Sequence, residues 1–159
     1  DDAYELSYVG TGDFPYDFDN AANATEALAA AVADGADAVV PYLAGALRPV
    51  VQAANDAGIV TMSAGSSSAC EDPELDFDIA VRFDGGDYLR SVMDGIIAGS
   101  VTEGTVRVFR VGVDPEPGAR ICDPTPEQQR AMEDVYATIA AGGLSEDFAA
   151  IKGEAYGAG

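Results

Sequence analysis

Ser66-Ser67-Ser68, the aspartates Asp13, Asp17 and Asp19, and the pair Arg82 and Asp84 are the first places to look for chemistry in this chain. A serine nucleophile needs a base to take its proton. The serine run has no G-x-S-x-G elbow, and the chain contains no histidine to activate it. The three aspartates offer oxygen ligands for a hard cation, but the D-x-D-x-D-G order of a calcium loop is not met. They read instead as a solvated loop and a helix cap. The acidic run Glu71, Asp72, Glu74, Asp76 and Asp78 reads as a solvated edge rather than a metal cage. Neither G-x-x-x-x-G-K-[ST] nor G-x-G-x-x-G comes after a strand-like segment, so no phosphate cradle is written into the backbone. The reading is therefore binding without reaction: no enzyme, no metal and no cofactor.

Charge narrows the partners. Eight basic residues against 28 acidic ones leave a net charge of −20, and Lys152 is the only lysine. Such a field repels phosphate backbones and anionic lipid, so nucleic acid is an unfavourable partner. No apolar run reaches the ~18 residues that a membrane span requires. The abrupt opening "DDAYELSYVG" has no basic and apolar leader pattern, which is what a mature product or a piece of a longer protein would show.

The elements that would position these groups are set by hydrophobic period and punctuation. "YELSYVG" (4–10) reads as a first strand. Residues 21–34 read as an Ala-rich helix with Ala24, Leu28, Ala31 and Val32 on one stripe, capped by Asp19 or Asn20 and stopped by Gly35. "DAVVPY" reads as a second strand. A helix over 46–57 comes next, with Leu47, Val50, Val51 and Ala54 inward and Pro49 in its first turn. "IVTMSAG" and "DIAVRF" read as strands three and four. A helix over 87–98 carries Tyr88, Leu89, Val92, Met93, Ile96 and Ile97, a stripe that must face a core. "GTVRVFRVG" (104–112) reads as a fifth strand and 112–124 as a crossover or linker. Thr125-Pro126-Glu127-Gln128 then opens a last helix with a capping box.

Short apolar strands alternating with helices predict an α/β fold: a three-layer, mainly parallel sheet with helices on both faces, flavodoxin-like in outline. In such sheets ligands sit beyond the C-terminal strand ends. On this map Gly10, Thr11 and Asp13, then Tyr42, Ala44 and Gly45, then Gly65 and Ser66, then Arg82 and Asp84 share one edge. Their small residues let backbone amides approach a polar solute, and helix N-termini behind them favour its oxygen atoms.

Cys70 and Cys122 lack the spacing of a zinc or redox site. They are a candidate disulfide if the protein lies outside the cytoplasm, and two free thiols otherwise.

The stretch "YVGTGDFPYDFDNAANATEALAAAVADGADAVVPYLAGALRPVVQAANDAGIVTMSAG" resembles the second half of the basic membrane lipoprotein family, and "AVRFDGGDYLRSVMDGIIAGSVTEGTVRVFRVG" is similar to the family's next stretch. These are extracytoplasmic substrate-binding proteins of ABC transporters, several of which bind purine nucleosides. The resemblance implies one lobe of a type I periplasmic-binding fold over 4–113. A crossover over 114–124 and a closing helix and tail over 125–159 would complete the chain. It also implies a small-molecule solute, a transporter permease and a second, N-terminal lobe or chain as partners. The location would be extracytoplasmic, with membrane attachment through a lipid anchor outside this chain.

Two positions differ from the nucleoside-binding pattern. Gly65 stands where those members carry an acidic residue suited to ribose hydroxyls, and Val81 where they carry a lysine. Leu43-Ala44-Gly45 keeps the small-residue turn, and Arg82 and Asp84 match the family residues just after that lysine. Nucleosides and other small polar solutes both stay open. A sensory or assembly module that keeps the lobe without transporting a ligand is the alternative. A flavodoxin-like enzyme domain is disfavoured by the missing histidine and phosphate loop.

Overall fold

The computed structural model describes residues 5–11 and 17–156, and of 151–156 the backbone alone. The chain is a mixed α/β protein that divides into two compact units, Asp1–Ala80 and Val81–Gly159.

In the first unit, helix α1 (Ala21–Ala33) forms where alanine propensity is highest. Asn20 caps it by accepting from the Asn23 amide at 3.2 Å, satisfying one of the donors that a helix start leaves open. Strand β1 (Ala38–Val39) leads to helix α2 (Leu47–Ala57), which Gly58 ends at φ 69°, a left-handed cap that suits glycine. Strand β2 (Val60–Thr61) returns parallel to β1, in register Ala38 to Val60 and Val39 to Thr61. A helix between two parallel neighbours is what parallel pairing requires, because a tight turn cannot span the return. Met62 then bridges in parallel to Ile79, the first residue of strand β3 (Ile79–Arg82).

Packing explains why these elements hold. Ala24 and Leu28 of α1 meet Ala46, Val50 and Ala54 of the α2 region in one buried cluster, with Val32, Val39, Leu43 and Ile59 against it. Val51, Thr61 and Ser63 are the largest side chains that are fully buried. The two helices thus bury most of the stripes that the sequence period marks, Ala24 and Leu28 with Val50, Val51 and Ala54, while Ala31, Val32 and Leu47 are half-buried.

The acidic stretch behind β2 is fastened down rather than free. Asp72 Oδ1 accepts from the amides of Glu74 at 2.9 Å and Leu75 at 3.0 Å, and Leu75 and Phe77 are buried. Asn55 Nδ2 donates to the Asp76 carbonyl at 2.8 Å, and Asp78 Oδ2 accepts from the Thr61 amide at 2.7 Å. Arg48 pairs with Glu74. Several of these acids, then, order a loop. Among the described residues no group of three or more His, Cys, Asp or Glu is placed to hold a metal ion.

The second unit carries helix α3 (Gly85–Ile97), strand β4 (Gly118–Ile121), helix α4 (Pro126–Ala140) and helix α5 (Ser145–Tyr156). Strand β3, whose last residues belong here, is hydrogen-bonded to β4. The Thr125 capping box is present in full: Thr125 Oγ1 accepts from Gln128 N at 3.2 Å, and Gln128 Oε1 accepts from Thr125 N at 2.9 Å. Tyr136 ties α4 to β4, its hydroxyl accepting from Ala119 N at 2.6 Å and donating to the Ala119 carbonyl.

Four expectations are corrected. Residues 5–10 form no strand, and Leu6 and Tyr8 are 94% and 80% exposed; the alternation is there, but no neighbour pairs with it as a strand. Residues 104–112 form no strand either. Asp114 gathers this segment into a turn by accepting from Arg110 N at 2.7 Å and Arg107 Nη2 at 3.2 Å. A strand lies instead at β4, inside the stretch read as a linker. Lastly, α3 buries none of its residues: Leu89, Met93, Ile96 and Ile97 are all exposed. Period identifies the apolar face of a helix but does not supply a layer to cover it.

Candidate ligand site

The residues of the junction "PYLAGALRPVV" predict backbone donors presented to a ligand. In the structure those donors are engaged within the chain. Ala44 N and Ala46 N donate to the Phe18 carbonyl at 3.1 and 3.2 Å, and Gly45 N donates to Asp19 Oδ1 at 2.7 Å. Asp17 Oδ1 holds the incoming loop by accepting from Asp19 N and Asn20 N, and Thr11 Oγ1 donates to the Asp17 carbonyl at 3.2 Å. Tyr42 stands edge-on to Phe18 with ring centroids 6.2 Å apart, and is 75% exposed.

The reason is electrostatic. Ala46 opens α2 with no side-chain cap. Asp19 supplies the anion that a helix start attracts. Thr11, Tyr42, Ala44 and Gly45 therefore all meet the loop 17–19 of the chain itself: Thr11 the Asp17 carbonyl, Tyr42 the Phe18 ring, Ala44 the Phe18 carbonyl and Gly45 the Asp19 carboxylate. A Cβ on Gly45 would lie 2.7 Å from Asp19 Oδ1, so only glycine lets the carboxylate in this close. Gly10 is exposed in the segment before Thr11, and Asp13 lies outside the described residues.

Beyond β2, Ser63 is buried, its amide donating to the Ile79 carbonyl and its hydroxyl to the Ser66 carbonyl at 3.1 Å. Gly65 turns the chain at φ 101°, and Ser66 is exposed. Cys70 and Cys122 are disulfide-bonded, and neither is a free thiol. Asp84 caps α3, its Oδ1 accepting from Gly86 N at 2.7 Å.

Arg82 is different. It ends β3 and lines an open recess of about 280 Å³ with Gly112, Val113, Asp114, Pro115, Pro117 and Tyr136. Compared with protein-family models, curated proteins and solved structures, the chain matches none. The recess must be read from its own atoms.

Those atoms are mostly engaged. Both Asp114 oxygens accept, from Arg107 and from the Arg110 amide, so its charge is already answered. The Tyr136 hydroxyl gives and takes a hydrogen bond at Ala119. Gly112 takes φ 80°, and a Cβ there would lie 2.5 Å from the Tyr136 carbonyl, so a glycine is what lets this turn pack on α4. Val113 and two prolines add apolar wall.

The guanidinium of the half-buried Arg82 has no hydrogen bond or ion pair among the described residues. Glu116, between the two prolines, has a buried Oε2 without a hydrogen-bond partner, yet it forms no ion pair with Arg82. Arg82 is legible as a candidate because it closes an apolar run. Val113, Pro115, Pro117 and Tyr136 are not: "GVDPEPG" signals only a loop, and 17 residues separate Tyr136 from Ala119, the strand residue that it holds.

Proposed function

We propose that this chain is a solute-binding lobe that captures a small polar molecule without transforming it, in the manner of an extracytoplasmic receptor serving an ABC transporter. The observation that carries this reading is Arg82: a cation at the C-terminal end of a strand, without a partner among the described residues, beside an open recess. In an open parallel α/β sheet, which the resemblance implies, ligands bind at such strand ends. The resemblance to basic membrane lipoproteins supports the same class. It adds the finer proposals of a type I periplasmic-binding lobe, a permease partner, a second lobe and an anchored, extracytoplasmic location. The open recess suits a weak or shared grip, because a ligand held by one lobe keeps much of its surface in water.

A second reading has its own observation. The exposed Leu89, Met93, Ile96 and Ile97 on α3 form an apolar face of the kind that mediates assembly. In that case the module serves contact rather than capture.

Thermal unfolding against a panel of nucleosides, sugars, amino acids and small carboxylates separates the two. A binder gains RT ln(1 + [L]/Kd), about 2.7 kcal/mol at a hundredfold excess over Kd. Stabilisation by at least one solute is the expected result; none, with self-association at α3, would favour the assembly module.

A further inference from the structure

Among the polar groups that line the recess beside β3, the guanidinium of Arg82 is the one left to answer. We infer that the recess takes a small monocarboxylate with a compact apolar body, its carboxylate on Arg82 and its body against Val113, Pro115 and Pro117. This rests on the solute-binding reading and names the class of solute for that site.

Three observations lead to it. First, the other polar groups of the lining are satisfied: Asp114 by Arg107 and Arg110, and the Tyr136 hydroxyl by Ala119. A sugar or nucleoside, with hydroxyls all round, would find few unused donors and acceptors there. Second, the group without a partner is cationic and planar, the geometry that grips a carboxylate through two parallel hydrogen bonds. In a chain of net charge −20, a half-buried arginine that no acidic side chain of the described residues pairs with is the unusual one. Third, an open recess of about 280 Å³ suits a small ligand, part of which stays in water. The apolar wall favours a hydrocarbon body over a second charge.

Benzoate matches this description in charge, size and apolar body, and benzamide is its neutral counterpart of the same shape. Titration of the full chain by calorimetry should show benzoate binding at millimolar concentration. Benzamide should bind about tenfold more weakly or worse, because it loses the charge-assisted pair. Arg82→Gln should abolish the preference for benzoate over benzamide, and Arg82→Lys should restore part of it, since lysine keeps the charge without the fork.

Equal binding of benzoate and benzamide by the native chain would overturn the inference, even if Arg82→Gln failed to fold. So would unchanged benzoate affinity in a folded Arg82→Gln variant, or the failure of acetate, butyrate and benzoate alike to bind. A nucleoside or sugar that binds regardless of Arg82 would leave the solute-binding reading standing and remove only the carboxylate. No binding by any solute would remove both.

Discussion

Asp19 and Gly45 meet across 26 residues of sequence, the carboxylate Oδ1 accepting from the glycine amide at 2.7 Å. This contact joins the loop before α1 to the start of α2, and it places a negative charge where α2 has no side-chain cap of its own. The same contact converts an expected ligand cradle into a structural fastening. A solute could use the Gly45 amide only by displacing Asp19.

The fastening should be measurable. Replacing Asp19 with alanine removes a charge-assisted hydrogen bond of a solvent-accessible group, and urea unfolding should show a loss of about 1 kcal/mol. The Asp19→Asn variant keeps an acceptor oxygen without the charge, so its loss should be smaller. Equal midpoints for the native and alanine proteins would mean the contact contributes nothing to stability.

A contrast between helices tests where the core lies. Val51 in α2 is fully buried, whereas Ile97 in α3 is 77% exposed. Val51→Ala should cost about 2 kcal/mol through lost burial and the cavity left behind. Ile97→Ala should stay within about 0.5 kcal/mol, as surface changes do. A large loss at Ile97 would show that α3 is covered in solution.

Oxidation of the two cysteines sets a third expectation. Intact mass under non-reducing conditions should be two hydrogens below that of the reduced chain, and reduction should lower stability by about 2–4 kcal/mol. A mass with both thiols free would contradict the structure at Cys70 and Cys122.

Local signals were well legible in the residues. Asn20, Gly35, Gly58 and the Thr125–Gln128 box mark helix ends through the hydrogen bonds and dihedral angles that those residues favour. The stripes Ala24–Leu28 and Val50–Val51–Ala54 name their buried faces because one apolar side of a helix must leave water. Parallel pairing of β1 with β2 was implied by the helix between them.

Other outcomes depended on partners distant in the chain. Whether 5–10 and 104–112 become strands turns on a neighbouring edge to pair with, and an alternating pattern cannot supply that edge. Whether Gly45 offers its amide to a solute turns on Asp19, and whether α3 is covered turns on a second layer. Arg82 stood out in the sequence as the end of an apolar run. Only the folded chain showed that Asp114 and Tyr136 already have their partners while Arg82 lacks one among the described residues. Hydrogen bonds between distant segments form only once the backbone has brought them within reach.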